Sequence, residues 1–443
     1  MMKRAILAAI FALAAPGIAH AVDVKTLKAA KGEDVWYVED HTLPMIAISA
    51  AFPAGSAYDP KDKAGLAAFA ASLLDEGAGN LNANAFHTAI ANRAIRISAS
   101  ADRDYLTISM VTLSTNAKEA FRLLGLALSK PRFDADAISR VRAQMISDLQ
   151  QGDEDPATVA AKGFFRTFFG DHPYAHPSDG EPAGLAAIQA EDLKNFAATH
   201  WVRSGLKIAV SGDADAATLK SLLASAFGAL PANPPPQLPP VTHMGAPGVH
   251  VIPMPVPQPT AVFGTPGILR TDKDFIPGYV ANYILGGGGF SSRLTADVRV
   301  ARGLTYDIST SLTPYHRAGV VLGQVASKKG SMRETLDVVR ATMKKFINDG
   351  PTDKELADAK TYLTGSFPLA FDSNVGIAAQ LNAFQIAGLP VNYVENRNGL
   401  INAVTSADVK RAAKRLFNPA NMTVVVAGSL APDPAPRGTT KRH

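Results

Sequence analysis

The run Leu285-Gly-Gly-Gly-Gly-Phe-Ser-Ser-Arg-Leu294, followed at once by Arg299-Val-Ala-Arg-Gly-Leu-Thr-Tyr306, is the most informative part of this 443-residue chain. Four glycines, Gly286, Gly287, Gly288 and Gly289, stop an apolar helix-like segment, as glycine does where a chain must leave helical geometry. No Gly-Lys-Ser/Thr follows them, so the loop does not read as a phosphate cradle. Arg299 and Tyr306 stand seven positions apart. A guanidinium and a phenol both donate hydrogen bonds without changing protonation, which suits them to a carbonyl oxygen gathering negative charge. Spacing alone leaves a second reading open, with Tyr306 a core aromatic on a strand and Arg299 a solvated helix residue.

Outward from this run, the chain repeats itself. Ala190-Glu-Asp-Leu-Lys-Asn-Phe leads to Leu206-Lys-Ile-Ala-Val-Ser-Gly212, and Ser406-Ala-Asp-Val-Lys-Arg-Ala leads to Met422-Thr-Val-Val-Val-Ala-Gly428. Asp192 and Asp408 are offset by 216 (408 − 192), as are Gly212 and Gly428 (428 − 212). Each copy reads as a capped amphipathic helix entering an apolar strand. Period-2 stretches such as Thr107–Leu113 and Val320–Val325 alternate with helix patterns such as Ala117–Leu128 and Met332–Met343. The expected fold class is α+β, as two homologous repeats, each a mostly antiparallel sheet with helices packed on one face. Leu230-Pro-Ala-Asn-Pro-Pro-Pro-Gln-Leu-Pro-Pro240 reads as an extended linker between them. The expected division is a leader at 1–21, an N-terminal domain at 22–230, a Pro-rich linker at 231–247, a C-terminal domain at 248–430 and a disordered tail at 431–443.

The glycine run and the residues after it resemble the second half of zinc peptidases of the pitrilysin/insulinase family (inverzincins), where Leu-Gly-Gly-Gly…Ser-x-Arg-Leu leads into Arg…Gly-Leu-x-Tyr. The resemblance extends from about Val35 to about Leu430. It implies that Arg299 and Tyr306 reach a substrate lying on a zinc held by the other half-site. It also implies that Gly286 to Gly289 touch the incoming peptide, as in the family's non-catalytic subunits. The family's first half carries Gly-Leu-x-His-x-x-Glu-His on a helix, so that two imidazoles four apart share one face and bind one metal. Here Gly65-Leu-Ala-Ala68-Phe-Ala-Ala71-Ser72 stands in that place, with Ala68, Ala71 and Ser72 at the His, Glu and His positions. Asp148, 76 positions after Ser72, falls near the third ligand position and is a carboxylate on its own. No metal is expected in this chain.

The remaining histidines do not rebuild the site, and His41, His87, His200, His243, His250 and His316 stand singly. His172-Pro-Tyr-Ala-His176 has two histidines at i, i+4, but each is followed by proline, which opposes a shared helical face. It resembles the family's structural His-Pro-Tyr loop. Lys3 and Arg4, an apolar run and Ala19-His20-Ala21 read as a secretory leader, giving a mature chain from Val22. The chain has no cysteine, hence no disulfide framework and no lipid-bearing cysteine, and no long apolar run to anchor it in a membrane. Removing Lys3 and Arg4 takes the formal charge from +5 to +3, and the short Lys/Arg clusters carry no interleaved aromatics, so nucleic acid is not an expected partner.

The expectation is a soluble periplasmic, non-catalytic, substrate-binding subunit of a heterodimeric zinc metallopeptidase. A homologous zinc-bearing partner subunit would hold the metal, unfolded peptides would be the substrates, and Arg299 and Tyr306 would act in trans. The alternative is a catalytically inert peptide-binding or scaffold protein with the same fold.

Overall fold

The computed structural model describes residues 23–29 and 31–430. The leader and tail expected at 1–21 and 431–443 lie outside them.

Two sheets organise the chain. The first is built from β1 (Lys25–Lys28), β2 (Asp34–Glu39) and β3 (Met45–Phe52). A two-residue hairpin, β4 (Gly77–Ala78) and β5 (Leu81–Asn82), stands apart from it. The sheet continues with β6 (Arg96–Ala101), β7 (Leu106–Leu113) and β8 (Lys207–Gly212), in the order β1-β2-β8-β3-β7-β6. The second holds β9 (Gly248–Ile252), β10 (Thr260–Pro266), β11 (Ile308–Pro314), β12 (Gly319–Ala326) and β13 (Thr423–Ala427). Its order is β11-β12-β10-β13-β9, which is that of the first sheet without β1. In each, the first strand of the repeat runs parallel to the last, and the other pairings are antiparallel.

The repeat holds to the residue. The helices Ala190–His200 and Ser406–Leu416 are offset by 216 at both ends, and both start in a capping box, Gln189 with Asp192 and Thr405 with Asp408. Gly212 and Gly428 leave their strands at φ of +132° and +128°. A side chain there would meet the Met45 carbonyl in one half and Pro259 in the other.

One face of each sheet packs on helices of its own half. The other face packs on a helix from the opposite half. Phe164, Phe165, Phe168 and Phe169 of helix Pro156–Phe169 bury against Val262, Val320, Val425 and Ala427 of the second sheet. Ile377, Leu381 and Phe384 of helix Asn374–Ile386 bury against Trp36, Val38 and Ala209 of the first. Burying four phenylalanines is worth roughly 6–12 kcal/mol relative to exposing them. Polar contacts fix the second helix, with Ser211 bonded to Asn374 at 2.7 Å and Asn382 donating to the Lys207 carbonyl at 3.0 Å. Because both faces are covered, β8 and β13 are apolar and buried almost throughout, whereas β7 and β11 alternate.

The β6–β7 turn meets the β11–β12 turn where the halves touch. The Tyr174 hydroxyl donates to Asp104 and accepts from the Arg317 backbone N–H at 3.0 Å. Asp104 also accepts the His316 N–H at 2.8 Å, and burial pushes its carboxyl up. His172 is spent on structure: Nδ1 accepts the Tyr174 N–H at 3.1 Å, and Nε2 bonds the Pro239 carbonyl of the linker at 3.1 Å.

Candidate functional site

The helix Leu66–Ser72 would carry the metal in a zinc-bearing relative. Its start is held by Asp59, whose carboxylate accepts the N–H groups of Gly65 and Ala67 at 2.8 and 2.9 Å. Leu66, Ala67, Phe69 and Ala70 face the core. Ala68 is half-buried, Ala71 buried and Ser72 exposed. The Ser72 hydroxyl donates to the Ala68 carbonyl at 2.9 Å, within the helix itself. Asp148 lies exposed on helix Ala135–Gly152 and accepts from Gln144 at 2.7 Å. Two methyl groups, one internally bonded hydroxyl and one solvated carboxylate do not make a zinc donor set.

One turn further on, the chain departs from the sequence expectation that His87 stands alone. Among the described residues, Asp75, Glu76 and His87 bring ligand-type atoms within 4.8 Å of one another. Glu76 is buried and ion-paired with Arg140, and His87 lies 3.8 Å from Asp75. The ion pair gives Glu76 a structural partner.

In the second half, the glycine run begins inside one π-helical turn, Tyr283–Gly287, and is followed by a second, Thr295–Val300. The wider turns show in the bonds from Gly288 N–H to the Tyr283 carbonyl and from Ala301 N–H to the Ala296 carbonyl. Such turns occur mostly as single insertions and often at functional sites. The floor of the run explains part of its composition. A Cβ on Gly286 would come within 2.4 Å of Thr310 Oγ1, and one on Gly287 within 2.8 Å of Asn282 Nδ2. A Cβ on Gly288 would come within 2.8 Å of the Tyr283 carbonyl. Gly289 differs: it stands in open space at φ +57°. Beneath the run, Asn282 donates to the Thr310 carbonyl at 3.0 Å.

Arg293, the arginine of the Ser-x-Arg-Leu stretch, is a clamp. It forks onto both oxygens of Glu355 at 2.6 and 2.7 Å and reaches the Gly350 carbonyl at 2.9 Å. Burial pushes the Glu355 carboxyl up, but the bonds from Arg293 and Thr352 outweigh it and bring it down to about 2. The stretch is thereby tied to the start of helix Asp353–Gly365.

Arg299 and Tyr306 follow on this clamped segment. The Arg299 guanidinium lies over the exposed Phe290 ring, 4.5 Å from its centroid. Tyr306 is 81% exposed, and no hydrogen bond reaches its hydroxyl from another described residue. It is not a core aromatic. Phe290, which the glycine run thrusts outward, had no distinct signal in the sequence. Leu285, Leu294, Val298 and Leu304 anchor the segment in the second core, while the Leu66–Ser72 helix belongs to the first.

The insulinase (peptidase family M16) profile matches residues 34–179, and the peptidase M16 inactive domain profile matches residues 187–363. A solved peptidase M16 inactive domain from Pseudomonas fluorescens superimposes with a TM-score of 0.87 at 30% identity, covering 93% of this chain and 99% of its own. The chain belongs to peptidase family M16. Among M16 relatives, a non-peptidase homolog, YmxG, of Helicobacter pylori is 29% identical over 380 residues, 85% of this chain and 86% of that protein. A solved protease from Helicobacter pylori shares the fold, with a TM-score of 0.82 at 18% identity over 92% of this chain and 99% of its own. The M16 assignment accounts for the two-repeat α+β fold and places the chain with non-catalytic family members. No helix among the described residues is long and apolar enough to cross a membrane.

Proposed function

We propose that this M16 chain is the non-catalytic, substrate-binding subunit of a two-subunit zinc peptidase in the periplasm, with the zinc on a homologous partner subunit. One observation carries the reading. The Tyr306 hydroxyl is presented to solvent without a partner among the described residues, on a segment braced by Arg293, in a chain whose family metal positions hold Ala68, Ala71 and Ser72. A side chain that exposed gains nothing for the core, so a role toward a ligand accounts for it better than packing does. In the complex, Tyr306 would donate its O–H to a peptide carbonyl as negative charge gathers there, and the Arg299 guanidinium would add charge-assisted donors. Preorganised donors of this kind stabilise a transition state more than a ground state.

The glycines give the scaffold reading its support. Packing alone accounts for a glycine at Gly286, Gly287 and Gly288, so the composition of the run needs no peptide contact at those three positions.

The deciding experiment is purification of the native complex from periplasm, followed by a peptide-cleavage assay on the pair and on each chain. A homologous chain with intact His-x-x-Glu-His should co-elute, and cleavage of unfolded peptides should need both. Recovery of this chain without such a partner, or a pair in which this chain is dispensable for cleavage, would hand the lead to the inert scaffold.

A further inference from the structure

Beside Tyr306 the surface dips into a pocket of about 260 Å³, lined by Gln258, Thr305, Tyr306, Asp307, Ser309, Gln324 and two residues of β12. Ser309 and Gln324 face each other across the β11–β12 ladder, so the floor is a rigid piece of sheet. The Thr305 hydroxyl is used internally, its one proton facing both the Ala326 carbonyl at 2.6 Å and the Asp307 carbonyl at 2.7 Å, while its oxygen accepts the Asp307 N–H at 3.1 Å. Those bonds fix the backbone of Asp307 and leave its carboxylate free. No hydrogen bond or ion pair reaches the side chains of Asp307, Gln258, Ser309 or Gln324 from any other described residue.

The wall charge is one-sided. Among the described residues no lysine, arginine or histidine lines the pocket, and the sole charged group is the Asp307 carboxylate, which only accepts hydrogen bonds. Two carboxamides and a hydroxyl stand around it, each able to accept or donate, so they adapt to a ligand and do not oppose its charge. The Asp307 carboxylate itself is satisfied only by a ligand group that brings donors and a positive charge. Among peptide side chains that describes lysine and arginine. An acidic side chain would face the carboxylate with no compensating cation, and an apolar one would strip water from four polar groups with nothing in exchange.

We infer that this pocket is a side-chain subsite for a lysine or arginine of the peptide, one that selects cationic substrates through Asp307. This rests on the substrate-binding reading above and refines it: Tyr306 would hold the backbone while Asp307, the next residue, reads the neighbouring side chain.

The test uses the full mature chain and fluorescein-labelled unfolded peptides of equal length that differ at one central position, Lys, Met or Glu, with binding read by anisotropy at low and moderate salt. The Lys peptide should bind roughly three- to tenfold tighter than the Glu peptide, with the gap narrowing as salt rises, as expected of a partly exposed ion pair. Asp307→Asn should collapse that gap. Asp353→Asn, an exposed carboxylate elsewhere on the same half, should leave it intact. Equal loss in both variants would mean a general charge effect and overturn the subsite, as would a preference that survives Asp307→Asn or one for the Met peptide. Binding of all three peptides without discrimination would overturn the subsite while leaving the substrate-binding role standing. Failure of every peptide to bind would overturn both.

Discussion

The two halves of this molecule share strand order, helix offsets and cap chemistry, yet at equivalent depth in the fold they treat polar groups in opposite ways. The N-terminal helix Leu66–Ser72 has lost its chemistry and turned inward: Ala67 and Ala70 are fully buried, and Ser72 bonds to its own helix. The C-terminal segment from Leu285 to Tyr306 keeps the unusual turns, the clamp and the exposed donors. Packing alone rewards the first arrangement and does nothing for the second. A half under no demand except folding would have no reason to hold Phe290 75% and Tyr306 81% exposed. The difference argues that whatever this chain still does, it does from its second half.

The largest effect should come from Tyr306. In the reconstituted pair, Tyr306→Phe and Arg299→Ala should each lower cleavage by roughly 10²–10³, the usual consequence of removing a donor that acts in the transition state. Subunit association, measured by co-elution, should not change, because interface affinity is spread over many residues. A Phe variant that cleaves at the normal rate would erase the functional asymmetry between the halves.

The glycines sharpen the same comparison. Gly286→Ala should cost about 1–3 kcal/mol in denaturant unfolding, since its methyl must displace Thr310, which stands on a strand with little room to give. Gly289→Ala should cost only about 1 kcal/mol, from its left-handed backbone in open space. If Gly289→Ala weakens peptide binding while Gly286→Ala leaves it unchanged, peptide contact belongs to the outer end of the run. The converse would return the whole run to packing.

A smaller effect is expected at the clamp. Glu355 is held at about 2, below its ordinary value, so its bonds contribute stability above about pH 4.5 that is lost as pH falls through about 2. Arg293→Met should therefore cost about 1–2 kcal/mol near neutrality, discounted for the partial exposure of the carboxylate. The variant's deficit should shrink as unfolding is measured at progressively lower pH. A deficit independent of pH would mean that Arg293 acts through its packing over Phe346.

Much of this was readable in the residues. The 216-residue offset announced the repeat, because caps and strand-ending glycines obey local rules: Asp192 and Asp408 close capping boxes wherever they fall. The degenerate metal helix was legible for a similar reason, as side-chain identities at fixed spacing, whereas spacing alone left the exposure of Tyr306 open. The helix exchange was not. Phe164, Phe168, Leu381 and Phe384 mark apolar helix faces, but periodicity says that a face is buried and never against which sheet. The π-helical turns were also hidden, since no local pattern marks the widened bonds from Gly288 to Tyr283 and from Ala301 to Ala296. Arg293 stood within the resembling stretch without a role of its own and proved to be a brace, and His87 looked solitary until folding set it beside Asp75.

The exchanged helices carry a consequence for how such a chain comes to exist. A lone half would leave the outer face of its sheet bare and its four-phenylalanine helix adrift, so neither half is a self-sufficient folding unit despite looking like one. Two copies of a single-half ancestor could have satisfied each other by the same swap, as a symmetric dimer. Joining them end to end by residues 231–247 would make the partnership permanent and free each copy to diverge. On that view the linker is a tether between former subunits, and the loss of chemistry in one half beside its retention in the other is what such a fusion permits.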